Sequence, residues 1–167
     1  IALEAKLNCE ITIEGIGFPI NLRGIVDRID ELNGITRIID YKTGKVEAKQ
    51  LKMDDFSVIS EDYKYTKAMQ VMLYSYMYAA TSSKSISELQ SGIISFKNLK
   101  EGFLKMNFSK LILTDCLKSL NVSNISPFPN MYKALLDLYT NFIVVSFRSS
   151  NSKVGNCASG YIFFTST

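Results

Sequence analysis

The feature that most constrains the fold is an Asn33-Gly34 pair set between two apolar runs rich in β-branched residues. Asn-Gly is the strongest short-range signal for a two-residue β-turn, because both residues readily take a positive φ. The flanking runs, residues 20–32 and 35–41, contain the Ile and Val typical of strands. The chain is therefore predicted to form an antiparallel β-hairpin about this turn.

A two-residue loop also sets the register of that hairpin. Asp30 then lies opposite Arg37, an ordinary cross-strand ion pair, and Asp27 lies opposite Asp40 with their Cβ atoms roughly 5 Å apart. At an effective dielectric of ~20 the repulsion between two such carboxylates is of order 3 kcal/mol. A protein tolerates this arrangement when a cation sits between the two groups or when they share a proton.

Strict alternation assigns the hairpin residues to two faces. The first face carries Ile25, Asp27, Ile29, Ile38, Asp40 and Lys42, and the second carries Val26, Arg28, Asp30, Arg37, Ile39 and Tyr41. Two carboxylates among isoleucines suit Mg²⁺ or Mn²⁺, and Lys42 stands one strand step from Asp40. The alternative is a solvated hairpin with scattered charges, and a one-residue bulge would break the pairing.

The rest of the chain predicts an α/β mixture with a small mixed sheet flanked by helices. Residues 8–14 and 92–96 have strand patterns, and residues 43–62 are interpreted as a loop with some local structure. Residues 64–80 lack Gly and Pro and predict a well-buried helix. Further helices are expected near 109–121 and 130–144, and the apolar cluster at 161–164 is short.

Composition excludes some kinds of site. The chain has no histidine, which removes histidine triads and histidine-ligated zinc. Its three cysteines, Cys9, Cys116 and Cys157, are widely spaced and indicate reduced thiols in a cytoplasmic protein. The net charge of +3 permits nucleic-acid binding without arguing for it. No apolar stretch approaches a membrane span.

Three ordered strings resemble motifs of the PD-(D/E)XK nuclease superfamily, and most of all its RecB/AddB-type branch. The strings are GIVDRID, IIDYKTG and QVMLYSY. The matching residues are Gly24, Asp27, Arg28 and Asp30, then Asp40, Tyr41, Lys42, Thr43 and Gly44, and finally Gln70 and Tyr74. The resemblance is good over residues 1–80 and loose over 80–147, and it implies a restriction-endonuclease-like core.

The resemblance also implies a role for each site residue. Asp27 and Asp40 would be metal ligands, the Tyr41 backbone carbonyl a further ligand, and Lys42 catalytic, with Mg²⁺ or Mn²⁺ as the cofactor. The family usually adds an upstream glutamate. Glu4 is the first candidate and Glu10 the second, although an exposed surface carboxylate would explain Glu4 equally well.

The predicted helix and the following loop supply further candidates. Gln70 and Tyr74 lie four residues apart on one helix face, where they would lean over the site, although Tyr74 also suits the core. The lysines after the DYK strand suit either a DNA path or a solvated loop; they are Lys45, Lys49 and Lys52.

The domain interpretation is a nuclease domain at 1–147, taken as a fragment lacking an upstream part, and a tail of uncertain order at 148–167. The expected activity is metal-dependent DNA hydrolysis in double-strand break repair and recombination, with DNA and a helicase segment or subunit as partners. The alternative is a catalytically silent module of the same fold that binds DNA or scaffolds a repair complex. The tail offers only Cys157, so no iron–sulfur cluster is expected.

Overall fold

The structure is a computed structural model that describes residues 2–11, 19–53, 63–85 and 88–108, with the backbone of residues 160–164. Its strands are β1 (Ala2–Ile11), β2 (Ile20–Leu32), β3 (Ile35–Lys42), β4 (Lys52–Met53), β5 (Leu89–Ser95), β6 (Phe103–Lys105), β7 (Asn107–Phe108) and β8 (Gly160–Phe164). The α-helix α1 spans Thr66–Thr81, and short 3-10 helices span Ala48–Leu51, Tyr63–Tyr65 and Phe96–Glu101. The helices predicted near 109–121 and 130–144 lie outside the described residues.

The main sheet is mixed, as the sequence predicts. Its strand order is β1-β2-β3-β5-β6, and β8 pairs with β2 away from that path. β1, β2 and β3 pair in antiparallel fashion, whereas β3 and β5 are parallel and are connected through α1. β8 lies in the segment interpreted as a tail, and it pairs in parallel with residues 20–24 of β2. The predicted α/β class is confirmed.

The hairpin has the predicted register. Its ladder runs from Leu32 opposite Ile35 to Arg28 opposite Ile39, and both turn residues have positive φ, with Asn33 at 54° and Gly34 at 78°. A type I′ turn requires a positive φ at both central residues, and hairpins favour this turn because its twist matches that of the flanking strands. The turn chemistry of two residues therefore determines which residues of β2 and β3 face each other.

The alternation of buried and more exposed residues along β2 changes phase at Asp27, whereas the sequence predicts strict alternation through the whole strand. Val26 and Ile29 both belong to the buried core, although strict alternation places them on opposite faces. Ile25, expected on the core face, is only partly buried. On the neighbouring strand β1, Glu4 has a positive φ of 49° at the same level. The continuous β1–β2 register places Glu4 opposite Asp27.

The core lies between the sheet and α1. The helix contains Ala, Met, Leu and Gln, which favour helix formation, and buries Ala68, Met69, Val71, Met72, Leu73, Tyr74, Ser75 and Met77. These residues pack on Leu22, Val26, Ile38 and Ile93 of the sheet. The structure thus confirms the predicted buried helix. Within the described residues, no helix has the length and apolar character needed to cross a membrane.

Two strand glycines allow close packing. A Cβ atom on Gly24 would lie 2.7 Å from the Tyr74 ring and 2.9 Å from Met77. One on Gly92 would lie 2.2 Å from the Leu104 carbonyl oxygen. A glycine inside a strand commonly marks such an approach. Gly24, the first residue of the GIVDRID motif match, therefore lets α1 bring Tyr74 directly onto β2.

The outer face of the hairpin carries an ion-pair network centred on Asp30. Arg37 donates two hydrogen bonds to its carboxylate, each 2.7 Å long, and Arg28 donates a third at 2.8 Å. The predicted Asp30–Arg37 pair is therefore confirmed. These bonds, led by those from Arg37, hold the pKa of Asp30 below its usual value, against the opposing effect of burial.

We expect Asp30→Asn to lower the free energy of unfolding by about 2 kcal/mol at pH 7, since hydrogen bonds to a charged group contribute roughly that much. A lowered pKa means that this stabilisation is complete above pH ~4 and is lost as the pH falls through the folded-state value. Urea titrations at pH 7 and pH 3 measure the effect, with exposed Glu31→Gln as the matched control. Equal acid sensitivity of wild type and Asp30→Asn would contradict this expectation.

Candidate active site

Asp40 is the most unusual carboxylate in the described structure. It lies on β3 and is 1% exposed. Its Oδ1 has no described hydrogen-bond partner, and its Oδ2 has only the Lys42 ammonium, at 3.2 Å. Burial, with a smaller contribution from the charge of Asp27, raises the pKa of Asp40 to about 6 against the lowering effect of Lys42. A buried carboxylate in this state is costly unless something else supplies positive charge.

Asp27 stands beside Asp40 and is held by the backbone. Its Oδ2 accepts a hydrogen bond of 2.7 Å from the Tyr41 N–H. The N–H and C=O of one residue in a strand point toward the same neighbouring strand. The Tyr41 carbonyl therefore also faces the Asp27 side of β3, while the Tyr41 ring stacks on Phe96.

Lys42 connects the sheet to the helix. Its Nζ lies 3.2 Å from Asp40 Oδ2 and donates a 3.0 Å hydrogen bond to Gln70 Oε1. Gln70 in turn donates from Nε2 to the Tyr74 hydroxyl, also at 3.0 Å. Lys42 is 8% exposed and Tyr74 is 0% exposed. The chain of contacts fixes the ammonium position from two sides.

Tyr74 combines the two roles between which its sequence position did not decide. Its ring is part of the buried core, and its hydroxyl is bonded to Gln70 at the site. Burial raises the pKa of Tyr74 to about 12, with further contributions from the charges of Asp40 and Asp27. The phenol therefore stays protonated at neutral pH and can act only as a hydrogen-bonding group.

The structure thus brings together Asp27, Asp40, Tyr41, Lys42, Gln70 and Tyr74. Of the two glutamate candidates, Glu4 lies opposite Asp27 in the β1–β2 register, and Glu10 lies apart from the site. The side chains of Glu4 and Glu10 are exposed, and Glu10 pairs with Asn21, far along β2 from Asp27. Among the described residues, no group of three or more His, Cys, Asp or Glu side chains is arranged to hold a metal.

The donor set nevertheless fits a divalent cation of the Mg²⁺ type. It offers two carboxylates and the backbone carbonyl of Tyr41, and the buried Asp40 oxygens have no described donor other than Lys42. Mg²⁺ is usually bound through one or two carboxylates and keeps several waters. Asp27 and Asp40 would hold the ion, and Tyr41 would supply a further oxygen.

The loop after β3 carries exposed lysines joined to one glutamate. Lys45 and Lys49 contact Glu47 at 3.1 Å and 2.7 Å. The same loop is fastened to the end of β5, since Ser95 Oγ donates to the Gly44 carbonyl at 2.7 Å. Sequence reasoning missed this connection, because a serine that ends an apolar strand gives no signal of its partner.

A comparison with family models decides the family. The model described as the PD-(D/E)XK nuclease superfamily matches residues 1–132. The chain belongs to the PD-(D/E)XK nuclease superfamily. No curated protein matches the chain, and no solved structure matches it.

Membership agrees with the mixed sheet and its packed helix, which form a restriction-endonuclease-like α/β fold. Superfamily members are mostly nucleases and typically use divalent metal ions. The carboxylate pair and lysine described above lie within the matched residues.

Proposed function

We propose that this PD-(D/E)XK protein is a Mg²⁺- or Mn²⁺-dependent deoxyribonuclease of RecB/AddB type. The observation that carries the proposal is Asp40. Its two buried oxygens lie beside a second carboxylate, and the Lys42 ammonium, 3.2 Å from Oδ2, is their only described donor. A chain that kept the fold only as a scaffold would gain nothing from this arrangement, because it destabilises the protein without a cation.

Each residue then has a defined task. Asp27 and Asp40 hold the cation, and the bond from the Tyr41 N–H keeps Asp27 in place. When bound, a divalent ion supplies Lewis-acid polarisation of a phosphate and lowers the pKa of a water. Lys42, oriented by Asp40 and Gln70, donates a hydrogen bond to the attacking water or to the phosphate, where negative charge develops.

The narrower placement rests on the three sequence motifs. The G-x-x-D-R-x-D, D-Y-K-T and Q-x-x-x-Y matches support the RecB/AddB branch, and the Lys42–Gln70–Tyr74 contacts give the third motif a place at the site. On this basis we infer a role with a helicase segment or subunit in double-strand break repair and recombination, in the cytoplasm.

The proposal is tested with end-labelled linear duplex DNA, the single strand of the same sequence and the matching RNA. Cleavage of DNA is expected with Mg²⁺ or Mn²⁺ and not with EDTA, and RNA is expected to remain intact. DNA binding without cleavage in either metal would overturn the enzyme and favour the silent DNA-binding module. Cleavage in EDTA would overturn the metal requirement.

Tyr74→Phe is expected to lower the cleavage rate about tenfold, since Gln70 loses a partner and holds Lys42 less firmly; a stabilised hydrogen-bond network contributes on this scale. The ring still fills the core, so the melting temperature should change little. Rates and thermal melts are compared with Tyr78→Phe, one turn farther along α1. An unchanged rate with a lowered melting temperature would assign Tyr74 to the core alone.

A further inference from the structure

Arg28, Asp30 and the Tyr41 side chain belong to the motif matches but take no direct part in the site described above. Because side chains alternate along a strand, the Tyr41 ring lies on the face of the sheet opposite Asp40. Ile39 shares the face of the Tyr41 ring, and it is the ladder partner of Arg28. Arg28 and Asp30, two residues apart on β2, therefore lie on the same outer face as the Tyr41 ring.

Arg28 joins the Asp30 carboxylate to the Tyr41 side chain. It donates from Nε to Asp30 Oδ2 at 2.8 Å, and its hydrogen bonds with Asp30 and with the Tyr41 hydroxyl raise the pKa of the guanidinium above its usual value. Tyr41 lies diagonal to Arg28 across the two strands, a separation of roughly 7–8 Å that a long side chain spans. The ring of Tyr41 also stacks on Phe96, with centroids 5.7 Å apart. The Tyr41 side chain is therefore fixed at its hydroxyl and along its ring.

The backbone of Tyr41 lies just past the end of the β2–β3 ladder. The last ladder pair is Arg28 with Ile39, and two residues farther along β3 the Tyr41 N–H donates a 2.7 Å hydrogen bond to Asp27 Oδ2. Tyr41 thus contacts two consecutive residues of β2, Asp27 through its backbone and Arg28 through its side chain. Because both contacts belong to one residue, a movement of the side chain also displaces the N–H and the carbonyl.

We propose that Arg28 is a positioning residue for the metal site, because it holds Tyr41 from the outer face and so keeps the Tyr41 N–H on Asp27 and the carbonyl directed to the same side. The consequence for metal binding rests on the proposed function. Arginine suits this task because its planar group donates in several fixed directions and so contacts Asp30 and the phenol together. Groups that orient metal ligands from behind commonly contribute roughly 10–100-fold to metal affinity.

Two substitutions remove this contact from either side. Arg28→Met keeps the aliphatic stem without the guanidinium, and Tyr41→Phe removes the hydroxyl and leaves the ring on Phe96. Mn²⁺ alone is titrated into the full chain, and the free ion is measured by electron paramagnetic resonance. Each variant is expected to raise the Mn²⁺ Kd about tenfold. The double variant is expected to raise it little further, because both changes break the same contact.

Arg37→Met is the matched control. Arg37 belongs to the same outer-face network, but its described hydrogen bonds both go to Asp30. Its loss is expected to lower the melting temperature at least as much as Arg28→Met does, and to leave the Mn²⁺ Kd within twofold of wild type. A Kd that is unchanged in Arg28→Met, or that rises equally in Arg37→Met, would overturn the positioning role.

Amide hydrogen exchange in EDTA measures the same positioning without a metal. Exchange of the Tyr41 amide proton, which is bonded to Asp27, is expected to become about tenfold faster in Arg28→Met and in Tyr41→Phe. In Arg37→Met it should stay within twofold of wild type. Unchanged exchange in the first two variants would overturn the inference, even if wild type binds Mn²⁺ and cleaves DNA. Faster exchange in those variants, with a wild type that neither binds Mn²⁺ nor cleaves DNA, would overturn the proposed nuclease function and leave the role of Arg28 standing.

Discussion

Lys42→Ala is expected to reduce Mg²⁺-dependent DNA cleavage by about 10²–10³-fold, the usual loss when one preorganised charge-stabilising group is removed. The ammonium is buried and held by Asp40 and Gln70, so water replaces it poorly. Gel assays on end-labelled DNA under single-turnover conditions measure the chemical step, and thermal melts confirm that the variant is folded.

Lys45→Ala is the matched control for this change. Lys45 lies three residues farther along the chain, is 63% exposed in its side chain and contacts Glu47 rather than the carboxylate pair. It should retain nearly the full rate. A folded Lys42→Ala protein that keeps more than about a tenth of the wild-type rate would refute the catalytic assignment.

Asp40→Asn is expected to reduce cleavage as much as Lys42→Ala does, and yet to make the metal-free protein more stable, by up to about 3 kcal/mol at pH 8. Burial raises the pKa of Asp40 from 3.8 to about 6. As the pH rises from 3.8 to about 6, ionisation of this carboxylate therefore lowers the free energy of unfolding by about 1.4 kcal/mol per pH unit. Below pH 4 the difference in the free energy of unfolding between Asp40→Asn and wild type should disappear.

Thermal melts in EDTA and in a Mg²⁺ series check both parts. Wild type should be stabilised by Mg²⁺ through mass action, and Asp40→Asn should gain little. Asp27→Asn is the matched comparison: it should also lose the Mg²⁺ effect, but with a smaller gain in EDTA, because its Oδ2 already accepts the Tyr41 N–H. Equal stabilisation of wild type and Asp40→Asn by Mg²⁺ would show that Asp40 is not a ligand.

This contrast between the two aspartates revises the picture of a symmetric pair. The hairpin register indicates two equivalent, mutually repelling carboxylates. In the structure the backbone of Tyr41 partly compensates Asp27, while Asp40 is buried with only the Lys42 ammonium as a described charge partner. Asp40 is therefore the carboxylate that a bound cation would stabilise more.

Local chemistry was sufficient for the hairpin register, although the observed ladder ends at Arg28 opposite Ile39, one pair before the predicted Asp27–Asp40 pair. The Asn33-Gly34 turn determines its register through the φ values that its residues accept, and that register predicts the Asp30–Arg37 pair as observed. Spacing also placed Gln70 and Tyr74 on one helix face, because four residues make about one turn. Such features depend on near neighbours along the chain or across one turn.

The tertiary structure alone decided the rest, because those features depend on contacts between distant segments. The change of burial phase at Asp27 lies opposite Glu4, whose positive φ belongs to a different strand, β1. The approach of α1 to Gly24 gives Lys42 its contact with Gln70. The parallel pairing of β3 with β5 places Phe96 beside Tyr41. Periodicity reports which face of an element is apolar, but not which other element will cover it.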